Sequence, residues 1–209
     1  MKLLVIGATR GIGLEVVEQA LAAGHEVTAL ARNTAGFPVS HEKLKVVKGD
    51  ILDQGSIESA LGGQDVVCVT IGIKATRKPV SIFSRGTKAV VEAMKNSQCR
   101  RLICVTGIGA GDSRGHGGFL YDKIFNPLFL KTIYEDKDRQ EAIVRESGLD
   151  WVIVRPGFLT NGPRTGEYRA LTDLKGVKAG KISRADVADF ILREAAEMKY
   201  KGQTPLLTY

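Results

Sequence analysis

The sequence predicts a doubly wound α/β fold, a mostly parallel sheet with helices on both faces, formed as a single domain over residues 1–209. Three observations predict it. An apolar run, Leu3-Leu4-Val5-Ile6, starts almost at the first residue and reads as a strand buried on both faces. Glycines come next at positions 7, 11 and 13, and Leu14 to Ala23 then carries a helical period. Further apolar runs of strand length alternate with helical stretches, the pattern of parallel strands joined by crossover helices. A chain of 209 residues, 44% hydrophobic and 25% charged, suits one sizeable core of an ordinary globular kind.

Strand, glycine turn and helix together turn a weak glycine pattern into a useful one. A turn this tight needs residues without Cβ. A diphosphate resting on the helix start needs uncovered backbone N–H groups and the positive end of the helix dipole. Gly7, Thr9, Arg10, Gly11, Ile12 and Gly13 are therefore candidate cofactor-binding residues in a Rossmann fold. The competing reading is an ordinary strand-to-helix turn.

The second strand is Glu26 to Arg32, entered after Gly24, which is well placed to end the first helix. Its far end would lie beside an adenosine ribose. An acidic residue there would accept from the 2′-hydroxyl and repel a 2′-phosphate. This chain instead carries Ala31, Arg32 and Asn33. Arg32 can pair with a phosphate through its planar fork, and Arg10 can approach the same group from the other side. The pair favours NADP(H) over NAD(H), although either arginine alone also suits a plain surface.

Leu44 to Ile51 reads as a third strand. At its end Asp50 can accept from an adenine amino group while Ile51 packs on the ring; Asp50 serves equally well as the cap of a helix over Gln54 to Leu61. Asp65 to Gly72 is the fourth strand. Ile71 and Gly72 close it, the glycine letting backbone pass close to a cofactor. A crossover helix spans Val80 to Asn96, and Arg101 to Thr106 forms the fifth strand. The cofactor belongs at the strands' C-terminal edge.

By this point the chain resembles the atypical, NmrA-like branch of the NAD(P)-binding short-chain dehydrogenase/reductase superfamily. Within it, the chain is most similar to the small biliverdin reductase B/flavin reductase type. The likeness rests on Gly7-Ala8-Thr9-x-x-x-Gly13, Gly49-Asp50-Ile51-Leu52-Asp53, Gly63-Gln64-Asp65-Val66-Val67, Arg145-Glu146-Ser147-Gly148-Leu149, Arg155-Pro156-Gly157 and Thr208-Tyr209. It covers essentially the whole chain. One departure is plain: the atypical branch usually has glycine where Arg10 stands, and Gly11 gives the Gly-x-x-x-Gly-x-Gly spacing of better-known dehydrogenases.

The resemblance implies chemistry after the fifth strand. Members with full carbonyl chemistry carry a Ser or Thr there and a Tyr-x-x-x-Lys pair on the next helix; the Lys lowers the Tyr pKa and holds the nicotinamide ribose. Thr106, Tyr134 and Lys137 are the candidate catalytic residues. Thr106 fills the first role, with Gly107 next to it where related flavin reductases carry a serine. Tyr134 and Lys137 stand one residue too close for the pair, yet at i and i+3 they share a helix face. Lys137 alternatively contacts the cofactor ribose or lies on the surface, and Glu141, four residues on, suits a helix ion pair with it.

Gly107 to Lys131 is glycine-rich and then aromatic, through Phe119-Leu120-Tyr121, Phe125 and Phe129. Such a length suits a binding surface or lid, and a short amphipathic helix in the core is the other reading. Trp151 to Arg155 is a sixth strand, after which Pro156 and Gly157 turn over the nicotinamide end. Residues 107–131 and 156–182 thus form the substrate side. Glu167 to Thr172 reads as a short strand, and Ser183-Arg184-Ala185-Asp186 has the form of a capping box.

The formal charge of +7 comes from scattered Lys and Arg rather than a tract. It reads as a solvated surface, and no nucleic-acid partner is expected. His25, His41 and His116 form no cluster, so no metal is expected. Cys68, Cys99 and Cys104 lack ligand spacing, and buried thiols in strands behave as small apolar residues. Met1 leads straight into the first strand, and no apolar run approaches bilayer length. A cytoplasmic location without disulfides or membrane contact is expected, as a monomer or weak homodimer. The sequence supports two function classes: an NADPH-dependent reductase passing hydride to a planar small-molecule acceptor (flavin, quinone or tetrapyrrole), or an NmrA-like module that senses NADP(H) without turnover.

Overall fold

The computed structural model describes residues 1–119 and 121–209, the side chains of Lys123, Phe125 and Asn126 excepted. Leu120 and the Phe125 side chain, part of the aromatic run, lie outside the described residues.

The first strand, β1 (Lys2–Ile6), is fully apolar after its first residue and takes the middle of the sheet. It is flanked by β2 (Glu26–Ala31) and β4 (Val66–Val69), both parallel to it. Beyond β2 lies β3 (Leu44–Lys48), whose mixed exposure fits an edge. On the other side come β5 (Arg101–Val105) and β6 (Asp150–Pro156), again parallel. Two later strands are β10 (Leu206–Thr208), parallel to β6, and β8 (Arg169–Leu171), antiparallel at the edge. They complete an eight-stranded sheet of order β3-β2-β1-β4-β5-β6-β10-β8. The order reverses at β1, so the crevice between β1 and β4 is the switch point where open α/β sheets bind ligands.

Strands β3 and β4 are shorter in the structure than predicted from their apolar runs. β3 stops at Lys48, so Gly49, Asp50 and Ile51 form the turn beyond it; β4 stops at Val69, leaving Ile71 and Gly72 outside the ladder. The reason is register. Ile6 is the last β1 residue to pair, opposite Leu30 and Val69, and past that point each strand is free to turn over the sheet edge. The sequence reading overlooks β10 and a small parallel pair, β7 (Phe158–Thr160) with β9 (Lys181–Ser183). At three residues each they are too short to show a period.

Helices α1 (Gly11–Ala22) and α5 (Arg184–Glu197) cover one face. Val16, Val17, Ala20, Val187, Phe190 and Ile191 pack there against Leu3, Val5, Ile103 and Val152. α2 (Gln54–Leu61), α3 (Ile82–Lys95) and α4 (Lys131–Arg145) cover the other, where Ile57, Val90, Met94 and Val144 meet Leu4, Val67, Leu102 and Ile153. Gly24 does end α1, with φ +80° and its N–H donating to the Leu21 carbonyl. The cap of α2 is Asp53, whose side chain accepts from Gly55 N–H at 3.1 Å, and not Asp50. Asp50 instead accepts from Leu52 N–H at 2.9 Å, a tight local turn three residues too early to cap the helix. Ahead of α4 the aromatic segment Tyr121–Leu130 winds as a π-helix, with Pro127 inside it, rather than as an open loop. Among the described residues no helix is long and apolar enough to cross a membrane.

Candidate functional site

A cleft of about 890 Å³ opens along the C-terminal ends of β1, β2, β4, β5 and β6. That is within the range of roughly 300–1,000 Å³ usual for small-ligand sites. A second depression of about 950 Å³ lies at the opposite edge, where Met1, Asp65, Arg101 and Asp150 begin their strands. The Gly62-Gly63 turn on its lining follows the end of α2, no helix start lines it among the described residues, and in open α/β sheets the carboxyl edge carries the ligand.

The glycine turn is built for close approach. Gly7 has φ +93°, and a Cβ there would sit 3.0 Å from Ile71 N and from the Thr70 carbonyl carbon. Gly13 lies against the β1 end so closely that a Cβ would overlap the Gly7 carbonyl oxygen and the Thr70 hydroxyl. It therefore packs α1 on the sheet rather than lining the cleft. α1 starts bare: Arg10 at its N-cap provides no side-chain cap bond, and no acidic residue occupies the first turn. The N–H groups of its first turn and the positive dipole end thus point into a cleft sized for a ligand, the arrangement that suits a diphosphate. The residues present fit a dinucleotide.

Of the residues singled out in the sequence, Gly7, Thr9, Arg10, Gly11, Ile12, Arg32, Asp50, Ile51, Ile71, Gly72, Thr106, Lys137 and Pro156 all line this cleft. Arg10 and Arg32 are exposed at its rim. Gly13, Gly107 and Gly157 are buried behind this lining, and Tyr134, half-buried, is not part of it. A Cβ on Gly157 would overlap the Gly180 carbonyl oxygen, so this glycine holds β7 close to its neighbour. Sequence reading misses Lys74, Asn161 and Arg184, which also line the cleft, as does Leu159 of the segment after Pro156.

At the β5 end the candidate catalytic groups meet around Gly107. A Cβ there would lie 3.3 Å from the Tyr134 hydroxyl and 3.9 Å from Lys137 Nζ, so both α4 tips reach this point despite the short spacing. They do not act on each other in the expected way. Tyr134 Oη bonds to Tyr121 Oη at 2.9 Å, and the Tyr121 hydroxyl also reaches the Ile108 carbonyl at 3.2 Å. Burial, followed by the neighbouring Tyr121, pushes the Tyr134 pKa well above the usual phenol value. Lys137 Nζ instead donates to the Thr106 carbonyl and stands 5.1 Å from the Phe83 ring centroid. Its burial lowers the Lys137 pKa to about 8, with Cys104 and Glu141 opposing the fall.

The Thr106 hydroxyl is already committed, donating to Glu141 Oε1 at 2.8 Å. Glu141 makes no ion pair with Lys137. It is 1% exposed and accepts Arg155 Nε at 2.9 Å, Arg155 Nη2 at 2.6 Å and Arg145 Nη2 at 2.9 Å. Arg155 also pairs with Asp112 in the glycine-rich segment. Beneath Lys137, Asp136 is fully buried and accepts from Phe83 N–H at 2.9 Å, Ser84 N–H at 3.3 Å and the Ser84 hydroxyl at 2.5 Å. It caps α3 from α4 and so fixes the turn of α4 that carries Lys137. All three cysteines are buried, and burial pushes the Cys68 and Cys104 thiols up to about 12. They are inert packing groups.

A family model described as NAD(P)H-binding matches residues 7–197. Among curated relatives, the chain is 30% identical over 198 residues to a 3-diazoavenalumate denitrifying reductase of Streptomyces sp., an alignment covering 87% of this chain and 64% of that protein. The chain thus spans a little under two thirds of that relative's length. Among solved structures, ChuY of Escherichia coli O157:H7, an anaerobillin reductase, is 24% identical with a TM-score of 0.80, over 100% of this chain and 97% of that one. A wide-type short-chain dehydrogenase/reductase of Veillonella parvula DSM 2008, solved with NADP, is 20% identical with a TM-score of 0.83, over 100% and 94%. At these identities the two structures establish the Rossmann fold.

Proposed function

The chain belongs to the NAD(P)H-binding family, and from that premise we propose that it is an NADPH-dependent reductase passing hydride to a planar acceptor such as a flavin, quinone or tetrapyrrole. The observation that carries the reading is the continuity of one cleft, from Arg10 and Arg32 across the bare α1 start to Thr106, Lys137 and Pro156. The reductases among the similar proteins support the same class of chemistry. Recording loss of reduced-nicotinamide absorbance with FMN, a quinone and biliverdin in turn tests it. Tight binding of NADPH and NADP⁺ with no acceptor reduced would replace the reductase by a sensor of the NADP(H) state.

A bound nicotinamide cofactor supplies the hydride. This chain's residues bind and orient it. Arg32, helped by Arg10, takes the 2′-phosphate; Asp50 and Ile51 take the adenine; Gly7, Thr9, Gly11 and Ile12 leave N–H groups for the diphosphate. Ile71 and Gly72 line the middle of the cofactor's path. Thr106 and Pro156 form the floor at the nicotinamide end, backed by Gly107 and Gly157, and Lys137 holds the adjoining ribose. Tyr134 keeps its proton at neutral pH, since its hydroxyl is buried and bonded to Tyr121. Protons for the reduced acceptor come from water. The π-helix Tyr121–Leu130 and the glycine-rich segment before it shield the acceptor.

Two results are expected at this site. Charge-assisted bonds contribute about 1.5–3 kcal/mol each, so Arg32→Ala should weaken NADPH roughly tenfold or more and leave NADH little changed. Calorimetric titration with both cofactors checks it, and equal losses would remove Arg32 from the 2′-phosphate. The second concerns Lys137, which is cationic below its pKa of about 8 and neutral above it. The cation is the form that holds a ribose hydroxyl while bonded to the Thr106 carbonyl. kcat/KM should therefore fall as pH rises through about 8, and Lys137→Met should flatten the profile. A parent profile flat across that range would show that the charge plays no part.

A further inference from the structure

Among the described residues, the cleft holds a cation that has no counter-ion of its own. Arg184 is the first residue of α5, and its side chain reaches across to the start of α1. A Cβ on Gly11 would lie 3.7 Å from Arg184 Nε and 3.8 Å from its Cδ. Its polar partner is a neutral amide, Asn161, whose Oδ1 accepts from Nη1 at 2.6 Å. Among the described residues Arg184 makes no ion pair with a carboxylate, and neither do Arg10 and Arg32 on the same cleft.

Its position runs against local preference twice over. A cation at the first residue of a helix opposes the positive end of that helix's own dipole. The side chain then points at a second helix start, that of α1, which has no acidic residue in its first turn. Asp186, the acid in the first turn of α5, does not relieve it. Its oxygens accept from Thr165 N–H at 2.8 Å, Gly166 N–H at 2.8 Å and the Tyr209 hydroxyl at 2.7 Å. A guanidinium held beside the uncapped positive start of α1 inside a cleft is repelled unless an anion lies between them. Such locally unfavourable choices occur where function requires them.

The backbone that carries Arg184 is also held in place. Gln19 of α1 donates to the Ala185 carbonyl at 2.9 Å and holds the α5 start against α1, while Asn161 fixes the guanidinium. A side chain ordered beforehand loses little entropy on binding. We propose that Arg184, reaching from α5 over the Gly11 turn, is a second clamp on the diphosphate of the bound nucleotide, opposite the N–H groups of α1. The proposal rests on the cofactor-binding reading above and adds a residue to it. It makes diphosphate affinity depend on α5, an element outside the glycine motif. Unlike Arg32, Arg184 does not distinguish the phosphorylated from the unphosphorylated cofactor, since the diphosphate is common to both.

The test titrates NADPH, NADH and adenosine 2′-phosphate into the parent and into Arg184→Gln by calorimetry. NADPH and NADH should each weaken roughly tenfold or more, and adenosine 2′-phosphate, which has no diphosphate, should change by less than about twofold. Arg184→Lys should recover part of the loss, as a point charge without the planar fork. Without ligand, Arg184→Gln should melt no lower than the parent, because it removes a cation from a helix start. Unchanged binding of both dinucleotides overturns the proposal, as does an unliganded melting temperature several degrees lower, which would make Arg184 a folding residue. A raised KM for FMN but not riboflavin, with cofactor affinity intact, would assign Arg184 to the acceptor's phosphate and overturn it too. A parent that binds neither dinucleotide removes the cofactor reading itself, and Arg184 with it.

Discussion

Glu141→Ala is expected to lower the unfolding free energy by about 3–5 kcal/mol, the cost of leaving one partner of a buried ion pair uncompensated. Arg155 is fully buried and donates two of its bonds to Glu141. Without that carboxylate, Arg155 keeps only Asp112 among the described residues, and the Asp112 side chain is 71% exposed. The Thr106 hydroxyl loses its acceptor at the same moment. A denaturant midpoint that falls while the slope stays constant is the measurement, since a constant slope means the folded and unfolded surfaces are unchanged. Replacing both partners by apolar residues, as in Glu141→Leu with Arg155→Met, should recover much of the loss, because the penalty comes from the unpaired charge. A loss below about 1 kcal/mol for Glu141→Ala would put the pair in the class of weak surface bridges and contradict its burial.

The same pair marks the limit of what the sequence could disclose. The glycine turn, the apolar β1 and the α1 after it are encoded by neighbours within a few residues. They are legible, as is the Ser183 cap, which accepts from Asp186 N–H at 2.9 Å. Glu141 reads as a helix partner of Lys137 because only local spacing is visible in a sequence. Its helix ion pair is made with Arg145 instead, four residues on, and its other partners lie 14 residues away in Arg155 and 35 away in Thr106. Asp136 caps α3 across 53 residues, a distance that no capping pattern registers. Arg184 is hidden differently: it sits inside the capping box that explains its neighbours, so nothing local sets it apart. The arginines proposed to take the 2′-phosphate stand out in the sequence because the strand end that would hold an acid for NAD(H) lacks one.

At the nicotinamide end the expected result separates positioning from proton donation. Tyr134→Phe removes the hydroxyl and keeps the ring, and its turnover with FMN should stay within a few-fold of the parent. Loss of a working general acid typically costs about 10²–10⁴-fold. Tyr134 lacks the features of such an acid. Its hydroxyl is bonded to Tyr121, its pKa is raised by burial, and Lys137, which would lower it in a Tyr-x-x-x-Lys pair, is turned to the Thr106 carbonyl. Gly107→Val should be far more damaging. Gly107 has φ +145°, a conformation that a β-branched residue resists, and a new Cβ would press within 3.3 Å of the Tyr134 hydroxyl. A displacement of about 1 Å at the reacting centre can cost on the order of 10²-fold, since correct placement of two rings supplies up to roughly 7–11 kcal/mol of barrier reduction. NADPH affinity should largely survive, because Arg32 and the α1 start lie at the other end of the cleft. Gly107→Ala separates backbone strain from bulk: it carries the same φ penalty with less volume, and should fall between the parent and Gly107→Val. A hundredfold fall for Tyr134→Phe with cofactor binding intact would mean that Tyr134 and Lys137 form a working acid pair despite their spacing.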